Sequence, residues 1–288
     1  MRPQCLGTLT FSSLISRIKL KVGRLKHYTD AFCLLGLYSQ GCSSDRSILH
    51  VRVLIMSANR AQTIAMVFGA SGGLGRSLSA QIEGFGHFDR VIPVSRSSKP
   101  SFDLLEEASI QQTVEAASEN GAIRLALDAT GFLHDGCLQP EKSFRQIDRH
   151  YLSRSFAVNA IGPALLMKHL LPAFPRQGRA VFATLSARVG SVADNRLGGW
   201  FGYRASKAAL NQMVRTAAIE LRRYAPEAIC VALHPGTVET ELSRPFAKNG
   251  LDVQSSEEAA HNLLSVIDGL SPEDSGGFFD HRGETIPW

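Results

Sequence analysis

The sequence predicts an α/β fold, one doubly wound parallel sheet in a single domain, and three observations carry that prediction. From residue 62 onward, short apolar, β-branched runs alternate with longer helical stretches, the pattern of parallel strands joined by crossover helices. The first such run passes directly through a glycine-rich turn into a helical stretch. No internal repeat and no linker divides the rest of the chain, so residues 62–288 read as one unit.

Taken in order, the strand-like runs fall at 63–68 (TIAMVF), 90–95 (RVIPVS), 123–128 (IRLALD), 179–186 (RAVFATLS) and 228–234 (AICVALH), with a weaker one near 277–286. Helical stretches occupy 74–84, 106–119, 155–173, 203–223 and 257–268. In such a sheet a ligand belongs beyond the carboxyl ends of the strands. With 288 residues, 44% hydrophobic and 20% charged, the chain can bury a sizeable core, which excludes a disordered or collagen-like protein. Its five cysteines are irregularly spaced with no C-x-x-C pair, which argues against a disulfide scaffold or a zinc site and for a reducing compartment, the cytoplasm.

The formal charge of +5 is unevenly shared. Residues 1–60 hold nine Lys and Arg against Asp30 and Asp45, so the remainder is slightly acidic. The basicity therefore belongs to an N-terminal extension, residues 1–61, and no nucleic-acid partner is expected. That extension has no apolar run long enough to cross a bilayer, and no membrane partner is expected either. Three readings of it stand open: translation starting at Met56, an organelle transit peptide that would place the protein in an organelle matrix, or an appended arm.

The chemistry begins in the turn Phe68-Gly69-Ala70-Ser71-Gly72-Gly73-Leu74-Gly75. Glycines at 69, 73 and 75 allow a tight turn, close approach of a pyrophosphate and close helix packing, while Ser71 and Leu74 lie in the same turn. The free N–H groups of the following helix then face the phosphates, as in a Rossmann-type dinucleotide site. The same stretch contains G-x-S-x-G, the hydrolase nucleophile elbow. That elbow follows several earlier strands, however, and here it follows the first. At the end of the second strand, where the ribose 2′ position falls, stand Ser95 and Arg96 rather than an acid. A planar cation beside a small hydroxyl suits a 2′-phosphate, so NADP is preferred over NAD.

Tyr203 and Lys207 are four residues apart in a helical stretch and so share a face. A phenol of pKa about 10 is a weak acid–base group at neutral pH, and a nearby ammonium favours its phenolate. Tyr203 can then exchange a proton with a carbinol oxygen.

With the glycine turn, the Tyr203/Lys207 pair and the order of elements, the sequence resembles the short-chain dehydrogenase/reductase family. The stretch from Ser186 through Asp194-Asn195 and Gly198-Gly199-Trp200 to Tyr203-Arg-Ala-Ser-Lys207 is similar to the subgroup that holds the bacterial C-factor signalling proteins and the sniffer-type carbonyl reductases. The resemblance implies that Asp103 contacts the adenine. It implies that Asn159 bends the long helix and holds a water linking Lys207 to solvent. It places Pro235, Gly236, Thr237, Val238 and Thr240 over the nicotinamide carboxamide, and Lys207 on the nicotinamide ribose. A homodimer or homotetramer through the long helices is implied as well.

The sequence departs from the family pattern in three places. Phe68 stands where Thr is usual. The segment Asp128-Ala129-Thr130-Gly131 replaces Asn-Asn-Ala-Gly, keeping the small residues, here Ala129 and Gly131, at the ribose. The serine expected to hold the substrate carbonyl is Ser186, at a strand end, with Ser191 as its rival. Scattered histidines, among them His234, and the remaining cysteines, Cys137 and Cys230, read as structural, no metal is expected, and Glu257-Glu258 reads as helix-start charge. Leu242, Pro245, Phe246 and Leu251, in a loop spanning 238–256, supply an apolar substrate wall. The expected function is NADP(H)-dependent hydride transfer between cofactor and a small carbonyl or secondary alcohol; the alternative is a C-factor-type signalling protein with little turnover.

Overall fold

Successive side chains of a strand point to opposite faces, and in this chain both faces are apolar. In the computed structural model, which describes residues 61–246 and 253–288, β1 (Thr63–Phe68) sends Ile64, Met66 and Phe68 into one buried cluster and Ala65 and Val67 into another. The division continues through β3 (Ala122–Asp128), β4 (Ala180–Leu185) and β5 (Ala228–His234), where Ala126, Phe182 and Cys230 face one way and Leu125, Val181 and Val231 the other. Strands apolar on both faces need helices on both. The first cluster is closed by α2 (Glu107–Asn120), α4 (Gly162–Ala173) and α5 (Phe201–Leu221), the second by α1 (Gly73–Phe85) and α6 (Ser256–Gly269).

With β2 (Arg90–Val94) and β8 (Phe278–Asp280) the sheet runs β2-β1-β3-β4-β5-β8, every pair parallel. The chain steps from β1 outward to β2, then returns to the other side of β1 as β3. The carboxyl ends of β1 and β3 therefore border the crevice where doubly wound sheets bind ligands. Residues Ala61–Trp288 form one compact unit, a single doubly wound domain. The readings of the N-terminal extension, and Leu251, lie outside the described residues.

The expected elements are present, with several differences in extent and detail. The long helix begins six residues early, as α3 (Arg149–Phe156), because the Asp148 carboxylate caps it by accepting the Tyr151 N–H at 2.8 Å. It then passes through a π turn, Ala157–Ile161, into α4. The last strand is short, and Phe279 meets Thr285 in an isolated antiparallel bridge. Two short strands were not expected: β6 (Thr237–Val238) and β7 (Val253–Gln254) pair in parallel at the two ends of the 238–256 loop. Ser255 and Glu258 form a reciprocal cap at the start of α6, in keeping with the helix-start reading of the Glu257-Glu258 pair. Arg149–Ala173 is long and apolar enough to cross a bilayer, yet Leu166 and Leu170 lie in the core against the sheet.

Candidate active site

Two glycines make the first turn sterically possible. Gly69 has φ +78°, and a Cβ there would lie 2.8 Å from the Ala129 carbonyl oxygen. A Cβ on Gly75 would stand 2.3 Å from the Gly69 oxygen. The turn is thus folded against itself and against the end of β3, and Ala129 donates its N–H to the Phe68 carbonyl at 2.9 Å. No side chain caps α1 and no acid occupies its first turn, so the N–H groups of Gly73, Leu74 and Gly75 present an unopposed positive helix end. Gly73 lies under Thr240, whose methyl would be 3.3 Å from an added Cβ, so the segment after β5 closes over the turn. Sequence reasoning overlooked Arg76, whose guanidinium bonds the Ser71 carbonyl at 3.0 Å; a cation directly after the last glycine was the available signal. Phe68, in place of the usual Thr, packs its ring 5.3 Å from Phe102.

Beyond β2, the Ser95 carbonyl accepts the N–H groups of Ser98 and Phe102 at 3.1 and 3.2 Å, which curls the segment back on itself. Arg96 is exposed, and its guanidinium bonds no described residue, while its carbonyl accepts the Ser101 hydroxyl at 2.8 Å. Asp103 accepts the Leu105 N–H at 2.9 Å and so shapes the turn leading into α2. Past β3, buried Asp128 accepts from Thr130 N–H and hydroxyl (3.0 and 2.6 Å) and from the Thr184 hydroxyl (2.7 Å), holding Ala129 and Gly131 in a fixed loop. Gly236 has φ +78°, and a Cβ there would be 2.5 Å from the Gln254 amide; the turn after β5 rests on Pro235, Gly236 and the β6 pairing of Thr237 and Val238.

On α5, Tyr203 and Lys207 both point inward, as their spacing predicts. The ammonium is not on the phenol oxygen: it donates to the Leu185 carbonyl at 2.7 Å and sits 6.0 Å from the centre of the Tyr203 ring. Burial raises the Tyr203 phenol well above its ordinary value, with the Tyr151 phenol adding to the effect. Burial lowers Lys207 to about 8, opposed by the negative charge of Asp128. Asn159 lies in the π turn, completely buried. Its amide clamps Phe132, accepting the N–H at 2.8 Å and donating to the carbonyl at 2.7 Å, and also reaches the Ser206 hydroxyl at 3.2 Å.

Both candidate serines bond to neighbouring protein groups. Ser186 is buried and donates its hydroxyl to the Asn211 amide oxygen at 2.6 Å, two helical turns beyond Tyr203. Ser191 accepts the Asp194 N–H at 3.1 Å and borders a groove of about 250 Å³ with Arg204 and Ala208, residues that do not share the Tyr203/Lys207 face of α5. Among apolar residues, Ala187 and Leu133 pack with Tyr203. Ala187 is extended (φ −149°, ψ 144°), so it and Ser186 face opposite ways.

Trp200, Leu242 and Phe246 pack on this trio, which places two members of the predicted substrate wall, while Pro245 is exposed. Trp200 is the non-glycine residue with positive φ (54°) among the described residues. It is held by its N–H on the Glu141 carbonyl at 2.5 Å and by rings on either side, Tyr203 at 6.0 Å and Phe246 at 5.1 Å. Strain of this kind persists where surroundings over-determine it, commonly beside a functional site. Only the glycines flanking it hinted at this in the sequence. Among the described residues no cluster of His, Cys, Asp and Glu has the form of a metal site.

A phenol able to pass a proton, set at the same sheet edge as a positive helix end that can take phosphate, is the arrangement of an oxidoreductase working between carbonyl and carbinol. Known proteins agree. A family model described as enoyl-(acyl carrier protein) reductase matches residues 93–268, more than half of the chain. The C-signal protein of Myxococcus xanthus is 39% identical over 143 residues, covering 49% of this chain and 81% of that protein. A 1-hydroxy-2-glutathionyl-2-methyl-3-butene dehydrogenase of Rhodococcus is 28% identical over 232 residues, 77% of this chain and 98% of the other. Among solved structures, an NADPH-bound carbonyl reductase from chicken fatty liver shares the fold with TM-score 0.68 at 22% identity, over 80% of this chain and all of that one. The carbonyl reductase Sniffer of D. melanogaster does so at 0.64 and 20%, with the same coverage. The chain belongs to the short-chain dehydrogenase/reductase family and is an oxidoreductase acting on CH–OH and C=O groups.

Proposed function

We propose that this protein is an NADP(H)-dependent reductase of an apolar carbonyl compound, with Tyr203 as its proton donor. The observation that carries the reading is Tyr203 itself, buried at an apolar wall with its phenol held protonated by that burial. A phenol placed against such a wall can deliver a proton to a carbonyl oxygen in reduction and take it back in oxidation.

The glycine turn fits a dinucleotide because it leaves the start of α1 without a side-chain cap or an acid, so that its free N–H groups can take phosphate. The N–H groups of Gly73, Leu74 and Gly75 would bind its pyrophosphate, Ser95 and Arg96 its 2′-phosphate, and Asp103, Ala129 and Gly131 its adenosine. Pro235, Gly236, Thr237, Val238 and Thr240 would cover the nicotinamide. Bound there, that group supplies the hydride. Lys207 would hold the ribose hydroxyls, and neighbouring phosphate charge would keep its ammonium protonated. Asn159, clamped on Phe132, holds the bent helix against the Tyr203 helix. Unpaired Cys137 and Cys230 fit a reducing compartment such as the cytoplasm. Ile161 and Ile219, both more than half exposed on the long helices, fit a homo-oligomer formed there.

The second reading, a cofactor-binding signalling protein with little turnover, is favoured by the C-signal likeness. Titration of cofactor fluorescence with NADPH and NADH, followed by aldehydes, ketones and quinones, separates the two. Tyr203→Phe should lose about 10²-fold or more of the turnover while binding NADPH as tightly as the parent. Turnover that survives this change would refute the role of Tyr203, and folded protein that binds neither cofactor would refute the reductase reading.

A further inference from the structure

Leu133, Ala187, Trp200, Leu242 and Phe246 form an apolar cluster around Tyr203. Next to Leu133 in the chain stands His134, whose Nε2 is buried without a hydrogen-bond partner among the described residues. Its ring meets the Phe246 ring edge-on at 5.3 Å, Phe246 meets Trp200 at 5.1 Å, and Trp200 meets Tyr203 at 6.0 Å. His134 thus continues the row of rings that runs from Tyr203 through Trp200 and Phe246.

A buried ring nitrogen without a partner is costly, and natural structures rarely retain one without a use. The backbone beneath it is rigidly held. Asn159 clamps Phe132 through both its N–H and its carbonyl, and the Tyr151 hydroxyl donates to the Leu133 carbonyl at 2.9 Å. A polar group fixed on such support, inside an apolar wall, is the arrangement that orients a ligand.

We propose that His134 is a specificity-determining residue: its Nε2–H donates a hydrogen bond to a second oxygen of the substrate, remote from the carbonyl presented to Tyr203. The substrate class is then an apolar, ring-sized carbonyl compound bearing an ester, ketone or hydroxyl oxygen at its far end. This rests on the reductase reading.

The test uses two aldehydes of similar size, methyl 4-formylbenzoate and 4-isopropylbenzaldehyde, with the parent protein, His134→Phe and His134→Gln. His134→Phe should lower kcat/KM for the ester about tenfold, mainly through KM, and leave the isopropyl compound within about twofold, since a lost ligand hydrogen bond costs about that much. His134→Gln, which keeps an N–H donor, should retain most of the preference. Equal effects on the two aldehydes, or none, would overturn the assignment; NADPH affinity and melting temperature report whether each variant is folded. A parent protein that reduces neither aldehyde counts against the reductase reading alone. His134 is then judged by its imidazole nitrogen resonances in the presence of methyl benzoate and NADP: a shift upholds the contact, and no shift overturns it.

Discussion

Replacing Ser186 by alanine separates a structural hydroxyl from one that touches substrate. The Ser186 hydroxyl donates to the Asn211 amide oxygen at 2.6 Å, and both residues are at least 96% buried. The other bond of Asn211, from its amide N–H to the Gly190 carbonyl, is 3.5 Å long and contributes little. Ser186→Ala therefore strands a buried acceptor, which costs about 1–3 kcal/mol. In a domain of this size that lowers the melting temperature by roughly 2–4 °C per kcal/mol. The same change should leave kcat/KM for an aldehyde within about threefold, whereas removing a donor that stabilises a developing oxyanion costs about 10²–10³. Thermal melts and steady-state kinetics on one preparation read both effects. Ala187→Ser is the converse: its hydroxyl would stand beside Tyr203, and kcat/KM should rise. A hundredfold loss in Ser186→Ala with the melting temperature unchanged would refute the assignment of this hydroxyl to Asn211.

Three further outcomes follow from the structure. Gly75→Ala pushes a methyl to 2.3 Å from the Gly69 oxygen, where only backbone can yield. Folding stability should fall by about 1–3 kcal/mol in denaturant titrations and NADPH fluorescence enhancement should disappear. Arg96→Ala removes an exposed guanidinium with no other partner among the described residues. NADPH should bind about 10- to 100-fold more weakly, with NADH unchanged, when both are titrated at low salt. The ring of His234 is lowered from 6.5 to about 4, chiefly by burial, with the Arg188 guanidinium adding to it. The unfolded chain therefore takes up a proton in that window before the folded one does. The stability this neutral ring contributes is complete above pH 6.5 and is lost as pH falls through about 4, by at most about 3 kcal/mol. His234→Phe should flatten that part of the acid limb in urea melts at graded pH.

Much of the fold was legible because it is written locally. The apolar runs of β1, β3, β4 and β5 are apolar on both faces, so parallel strands under two helical layers followed from composition alone. The start of α3 was missed because Asp148 acts through one capping bond, which carries no periodicity. The β6–β7 pair was missed because two-residue strands leave no pattern to detect.

The sequence by itself determined the glycine turn, where chirality and the absence of a Cβ restrict what the backbone can do, and the shared face of Tyr203 and Lys207, which helical geometry dictates at a spacing of four. Only the tertiary structure decided which partner the Ser186 hydroxyl meets. In extended chain a shift of one residue reverses the face, so Ser186 turns to Asn211 and Ala187 to Tyr203, and no local signal distinguishes them. The same holds for Trp200 at φ 54° and for the buried nitrogen of His134. Both are set by residues distant in the chain, Glu141 and Phe246 among them, that come together only when the sheet and its helices close.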